Sequence, residues 1–163
     1  MELNDFNTAA PDEARELVRS CAHVDRWVDA VVAGRPYASV DEVAEAALTL
    51  AQPWTDDEVD SALARHPRIG EQARGQETDA QMSRQEQSGV GTDPGTQARL
   101  AEGNAAYEAK FGHVFLIRAA GRSAEEILQQ LQQRLTNTPD DERRIAAEQL
   151  REIAALRLRG ALS

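Results

Sequence analysis

PDEARELVRSCAHVDRWVDAVVAG, residues 11–34, carries the pattern that decides the fold. Leu17, Cys21, Val24, Val28 and Val31 stand at i, i+4, i+7, i+11 and i+14, the period of a helix with one apolar face. Pro11 suits a first helical turn and Gly34 a stop, so one helix is expected over this stretch. The same period governs the rest of the chain. Ser39-Val40-Asp41-Glu42 reads as a capping box opening a second helix, with Val43, Ala47 and Leu50 inward and Pro53 closing it. Thr55-Asp56-Asp57-Glu58 repeats the device for a third, with Val59, Ala62 and Leu63 inward. Asp93-Pro94 suits an N-cap followed by proline at the first helical position, and Leu100, Asn104, Tyr107 and Phe111 form the stripe behind it. Ser123-Ala124-Glu125-Glu126 caps a helix burying Leu128, Leu131 and Leu135. Thr138-Pro139 opens the last, through Ile145, Leu150, Ile153 and Ala154. Only Phe111 to Ile117 reads as extended. The expectation is an all-α, single-domain helical bundle over residues 1–163, with one short extended segment. Between Gly70 and Gly95 it carries a long functional loop that holds a short helix near residues 79–88.

Composition narrows the function. The chain of 163 residues can bury a sizeable core without staples. Its one cysteine, Cys21, has no partner for an internal disulfide, and no charged start with an apolar run behind it marks an export signal. A cytoplasmic location is expected. The 28 acidic and 18 basic residues leave a net charge of −10, which disfavours nucleic acid and anionic membranes. No apolar run is long enough to span a bilayer. Paired-cysteine and His-Glu-x-x-His metal spacings, phosphate loops, dinucleotide fingerprints and nucleophile elbows are absent too, so neither metal nor cofactor is expected.

What remains is acid-base chemistry. His66 lies at i+7 from Val59 and i+3 from Leu63, on the apolar face of its helix, while Pro67 disfavours helical geometry for it. A helix C-terminus favours the imidazolium and burial opposes it, a balance that suits a proton-transfer group. A buried or capping histidine is the alternative. Ser83, Glu86 and Gln87, at i, i+3 and i+4, put a hydroxyl, a carboxylate and an amide on one helical face. Ser-x-x-Glu is also a capping box, although no apolar run follows this one. Arg157 shares the inward face of Leu150, Ile153 and Ala154, so its guanidinium either finds an acceptor or snorkels outward. Asn104 reads as a buried structural amide. The extended segment lacks a partner strand, so its backbone groups need loops, water or a ligand, and an amide-rich ligand would suit it. A small helical interaction module, with His66 structural, is the competing reading.

The motifs together resemble a known family. His66-Pro67-Arg68-Ile69-Gly70, Ser83-x-x-Glu86-Gln87-x-Gly89, Asn104-x-x-Tyr107-x-x-Lys110-Phe111-Gly112 and Glu152-Ile153-x-x-Leu156-Arg157-Leu158 resemble OHCU decarboxylase in order and spacing. OHCU is 2-oxo-4-hydroxy-4-carboxy-5-ureidoimidazoline, an intermediate of urate breakdown. A Cys21, Trp27, Arg35-Pro36 pattern extends the likeness towards the N-terminus. The resemblance implies an all-α, cofactor-independent homodimer that converts OHCU to (S)-allantoin. It implies catalytic roles for His66 and Glu86. It implies substrate binding by Pro67, Ser83, Gln87, Arg157 and the backbone around Phe115, Leu116 and Ile117. The side chains of Phe115 or Ile117 are expected to offer the departing carboxylate an apolar wall. One departure is visible: His113-Val114 stands where many members have Phe-Pro, which bears on the local backbone path.

Overall fold

The computed structural model describes residues 1–71, 78–91 and 93–163, and all regular structure among them is helical. Two compact units form, Met1–Ala62 with Arg151–Ser163, and Leu63–Leu150.

The first unit begins with α1 (Leu3–Thr8), a helix the periodicity does not announce, whose Phe6 is fully buried. The stretch read as one helix is two, α2 (Pro11–Cys21) and α3 (Asp25–Ala33), parted by extended backbone at Ala22 and Val24. Burial explains the break. Cys21, Ala22 and Val24 are all at most 4% exposed, yet at 100° per residue a straight helix would spread them around its circumference. The break also moves the buried face of α2 to Ala14, Val18 and Cys21, leaving Leu17 partly buried. α4 (Val40–Leu50) packs against α3 through Trp27, whose Nε1 donates to the Ala47 carbonyl at 2.9 Å. The Trp27 ring meets Trp54 edge-on at 5.7 Å.

Local capping follows the sequence closely. Ser39 Oγ accepts from Glu42 N–H at 3.1 Å. Thr55 and Glu58 bond reciprocally at 2.8 and 3.1 Å at the start of α5 (Asp56–Leu63). Arg26, bonded to Glu58 at 2.8 Å, and then the Thr55 N–H hold that carboxyl below the usual carboxylate range.

The second unit holds α6 (Thr78–Glu86), a 3-10 turn at Gln87–Gly89, α7 (Pro94–Phe111) and α8 (Ala124–Arg134). Asp93 and Ser123 cap α7 and α8 as read from the sequence. The last helix, α9 (Pro139–Ala161), opens here. Ile69, Val90, Leu100, Tyr107, Phe115, Ile117, Ile127, Leu128 and Leu131 form its core. α7 and α8 touch where Gly103 faces Leu131: a Cβ at Gly103 would lie 2.3 Å from Leu131 Cδ2, so any side chain there would make Leu131 shift. Leu135 and Ile145, expected inward, are only partly buried, while Ile127 is fully buried. Residues 72–77 and 92, part of the expected functional loop, lie outside the described residues.

Candidate active site

The α5 helix stops at Leu63, three residues short of His66. His66 sits at a bend instead, partly buried, its N–H donating to the Leu63 carbonyl at 3.1 Å. Pro67 contributes to this, since its ring disfavours helical backbone for the residue before it. The imidazole is thus carried beyond the last helical turn, where the helix dipole weighs less than the sequence suggests.

A tight turn follows. Glu71 N–H donates to the Arg68 carbonyl at 3.0 Å, and Gly70 adopts φ +93°, open to glycine without strain. Two side chains hold the turn from outside it. Asn104, 4% exposed on α7, donates through Nδ2 to the Ile69 carbonyl at 2.8 Å. Gln87 accepts the Gly70 N–H on Oε1 at 3.0 Å. This last bond ties the turn after His66 to the residue next to Glu86, so the two motifs singled out in the sequence meet. It also commits the amide oxygen of Gln87.

Ser83 lies within α6 and is 6% exposed, so it is no N-cap and the capping-box alternative does not hold. Glu86 ends α6 and Gln87 opens the 3-10 turn, both partly buried. A cavity of about 320 Å³ is lined by Gly70, Arg84, Gln87, Ser88, Val90 and Gly91 among others. Another of about 200 Å³ lies against Arg68, Ile69, Gly70, Asn104 and Glu108. Arg68 is half exposed and pairs with Glu108 at 2.8 Å.

Residues 114–119 adopt no regular secondary structure, and Phe115, Leu116 and Ile117 are 1%, 3% and 3% exposed. The side chains of Phe115 and Ile117 belong to the core. What the segment can offer is its backbone. Among the described residues that backbone is held at three points: Arg134 Nη1 donates to the Leu116 carbonyl at 2.6 Å, Arg118 N–H donates to Gln149 at 2.9 Å, and the His113 ring meets the Val114 carbonyl at 3.1 Å. The N–H groups of Phe115, Leu116 and Ile117 are not engaged in those bonds. His113 packs edge-on to Tyr107 at 5.5 Å.

Arg134 is itself buried against Glu142; the two side chains are 5% and 0% exposed. Arg134 Nε and the Tyr107 hydroxyl both donate to Glu142 Oε1 at 2.6 Å, and Asn137 reaches Oε2 at 3.1 Å. Sequence reading missed this cluster. Burial, and then the neighbouring Glu142 carboxylate, raise the Tyr107 hydroxyl well above its ordinary value. A raised folded value contributes stability that is whole below the unfolded value, about 10, and fades as pH rises past it. Stability should therefore fall above about pH 10 by up to about 1.4 kcal/mol per pH unit for this group. Denaturant titrations between pH 9 and 11 should show the slope reduced in Tyr107→Phe. Tyr37, raised in the same direction chiefly by burial, would supply what persists.

Arg157 belongs to the other unit, on α9, where it is 8% exposed. It does not snorkel into solvent. Among the described residues no group of three or more His, Cys, Asp and Glu is placed to hold a metal ion. None of their helices is long and apolar enough to cross a membrane.

The model of the OHCU decarboxylase family matches residues 7–159. This chain belongs to the OHCU decarboxylase family. Its relatives include the 2-oxo-4-hydroxy-4-carboxy-5-ureidoimidazoline decarboxylase of Amia calva, 30% identical over 97% of this chain and 93% of that protein. The protein of the same description from Halalkalicoccus jeotgali is 26% identical over 97% of this chain and 90% of its own length. Among solved structures, an OHCU decarboxylase crystallised in the presence of (S)-allantoin superposes with a TM-score of 0.71. It is 25% identical, over 90% of this chain and 97% of the other. The family match extends across both units, and the all-helical fold accords with the relative's structure.

Proposed function

We propose that this chain decarboxylates OHCU to (S)-allantoin without a cofactor. Beyond family membership, the observation that carries this reading is the Gly70 to Gln87 bond, which brings the His66 turn and the Glu86 helix end into one frame.

The reaction has two tasks. When the carboxylate carbon leaves as CO2, its bonding pair becomes a carbon–carbon double bond within the ring, and the adjacent C=N pair takes up a proton at nitrogen. The product is an enol. The enol then loses its hydroxyl proton while the carbon bearing the ureido group gains one on a single face, which sets the S configuration. We assign His66 as the base at the hydroxyl, oriented and charge-balanced by Glu86, and one of this pair as donor to carbon. Ser83, the Nε2 of Gln87, Pro67 and backbone N–H groups of Phe115–Ile117 would hold the ring and ureido groups.

Arg157 is assigned to ring or ureido oxygens and not to the carboxylate. A guanidinium clamped on that carboxylate would stabilise the charged ground state more than a transition state on the way to neutral CO2, and would slow the step. Arg157→Ala should lower kcat/KM at least about tenfold, or about 1.4 kcal/mol. The protein is further assigned to the cytoplasm as a homodimer, which sedimentation of the purified chain can test.

The decisive experiment supplies OHCU freshly made from urate and follows its ultraviolet decay together with the optical activity of the product. Accelerated decay and a single enantiomer are expected. Unchanged decay with racemic allantoin would leave the chain as a helical interaction module.

A further inference from the structure

We propose that Arg134, anchored by Glu142, is a positioning residue that sets the backbone of the segment Phe115–Ile117 for substrate. This rests on reading that segment as substrate-binding.

The ion pair is costly, because two charges leave water for an interior where well-packed apolar side chains would serve stability as well or better. Its presence calls for something apolar residues cannot supply. Arg134 provides it in one rigid plane: Nε and Nη2 face Glu142, while Nη1 reaches the Leu116 carbonyl at 2.6 Å. The guanidinium carbon also lies 4.6 Å from the centre of the Phe115 ring. Tyr107 and Asn137, both bonded to Glu142, fix the carboxylate that fixes the arginine.

The consequence for the backbone follows from peptide geometry. The Leu116 carbonyl and the Ile117 N–H belong to one planar trans unit and point in opposite directions. Drawing the carbonyl towards Arg134 therefore aims the Ile117 N–H away from the Arg134–Glu142 pair. In a sheet, a neighbouring strand would set this orientation. Here Arg134 does so, and it acts on substrate through Leu116 and Ile117 without touching it.

The test compares OHCU kinetics and thermal unfolding of the wild type, Arg134→Lys, and the double variant Arg134→Met with Glu142→Leu. Lysine keeps the charge but cannot span Glu142 and the Leu116 carbonyl with a planar fork. The apolar pair removes both charges together, so it should melt well above Glu142→Ala even though the Tyr107 hydroxyl and Asn137 lose their acceptor. Both variants should raise KM about tenfold while kcat stays within about threefold, the mark of lost ground-state positioning. A double variant that regains both its melting temperature and the wild-type KM would show the pair to be merely structural. If the double variant does not melt cooperatively, Arg134→Lys decides, and a wild-type KM in it overturns the proposal. A wild type that leaves OHCU decay unchanged removes the proposed function itself, and this inference with it.

Discussion

His66→Gln should lower kcat for OHCU by about 10²- to 10⁴-fold, the range that one positioned acid-base group commands. That corresponds to about 2.7–5.4 kcal/mol of barrier. Glutamine keeps a polar side chain of comparable reach but cannot exchange a proton near neutral pH. The loss should therefore fall on kcat and leave KM close to its wild-type value. The fold should also tolerate the change. The turn is held by Asn104 on the Ile69 carbonyl and Gln87 on the Gly70 N–H, and the bend by the His66 main chain, none of which uses the imidazole. Steady-state rates corrected for spontaneous OHCU decay, beside an unfolding curve, check both halves. A raised KM with unchanged kcat would make His66 a binding residue and move proton transfer elsewhere.

The second large effect is on stability. Glu142→Ala should cost about 3–5 kcal/mol, since truncating one member of a buried ion pair strands the other charge. The carboxylate is 0% exposed and also serves the Tyr107 hydroxyl and Asn137, so its loss leaves several polar groups in the interior without their acceptor. Against a typical total of about 5–15 kcal/mol, the variant would unfold at markedly lower denaturant. A midpoint within about 1 kcal/mol of the wild type would mean that water reaches Arg134 readily.

The contrast between what the chain announces and what it conceals follows the range of the interactions involved. Caps at Ser39, Thr55, Asp93 and Ser123 are legible because donor and acceptor lie three residues apart. The all-helical class follows from a period repeated along the whole length. The break at Ala22 is not legible, because it arises from which side chains the folded unit can bury, and the apolar period passes through it unbroken. Arg134 and Glu142 go unmarked in the sequence for the same reason: each is ordinary in its own helix, and only folding makes them partners. At the site, the motifs mark His66, Ser83, Glu86 and Gln87, yet spacing cannot show that Gln87 spends its oxygen on Gly70. Nor could it reveal that Asn104, read as a structural amide, grips the turn that follows the histidine.

The bond from the Gly70 N–H to Gln87 has a practical consequence. The Gly70 amide proton points at a single side-chain oxygen, so its exchange with deuterated solvent reports one event, the parting of the histidine turn from the helix end that carries Glu86. Slow exchange would mean that the site is assembled before substrate arrives. Exchange that slows only when (S)-allantoin is added would mean that the ligand completes the assembly. One resolved resonance therefore separates a preformed site from one built by its occupant, without altering a single residue.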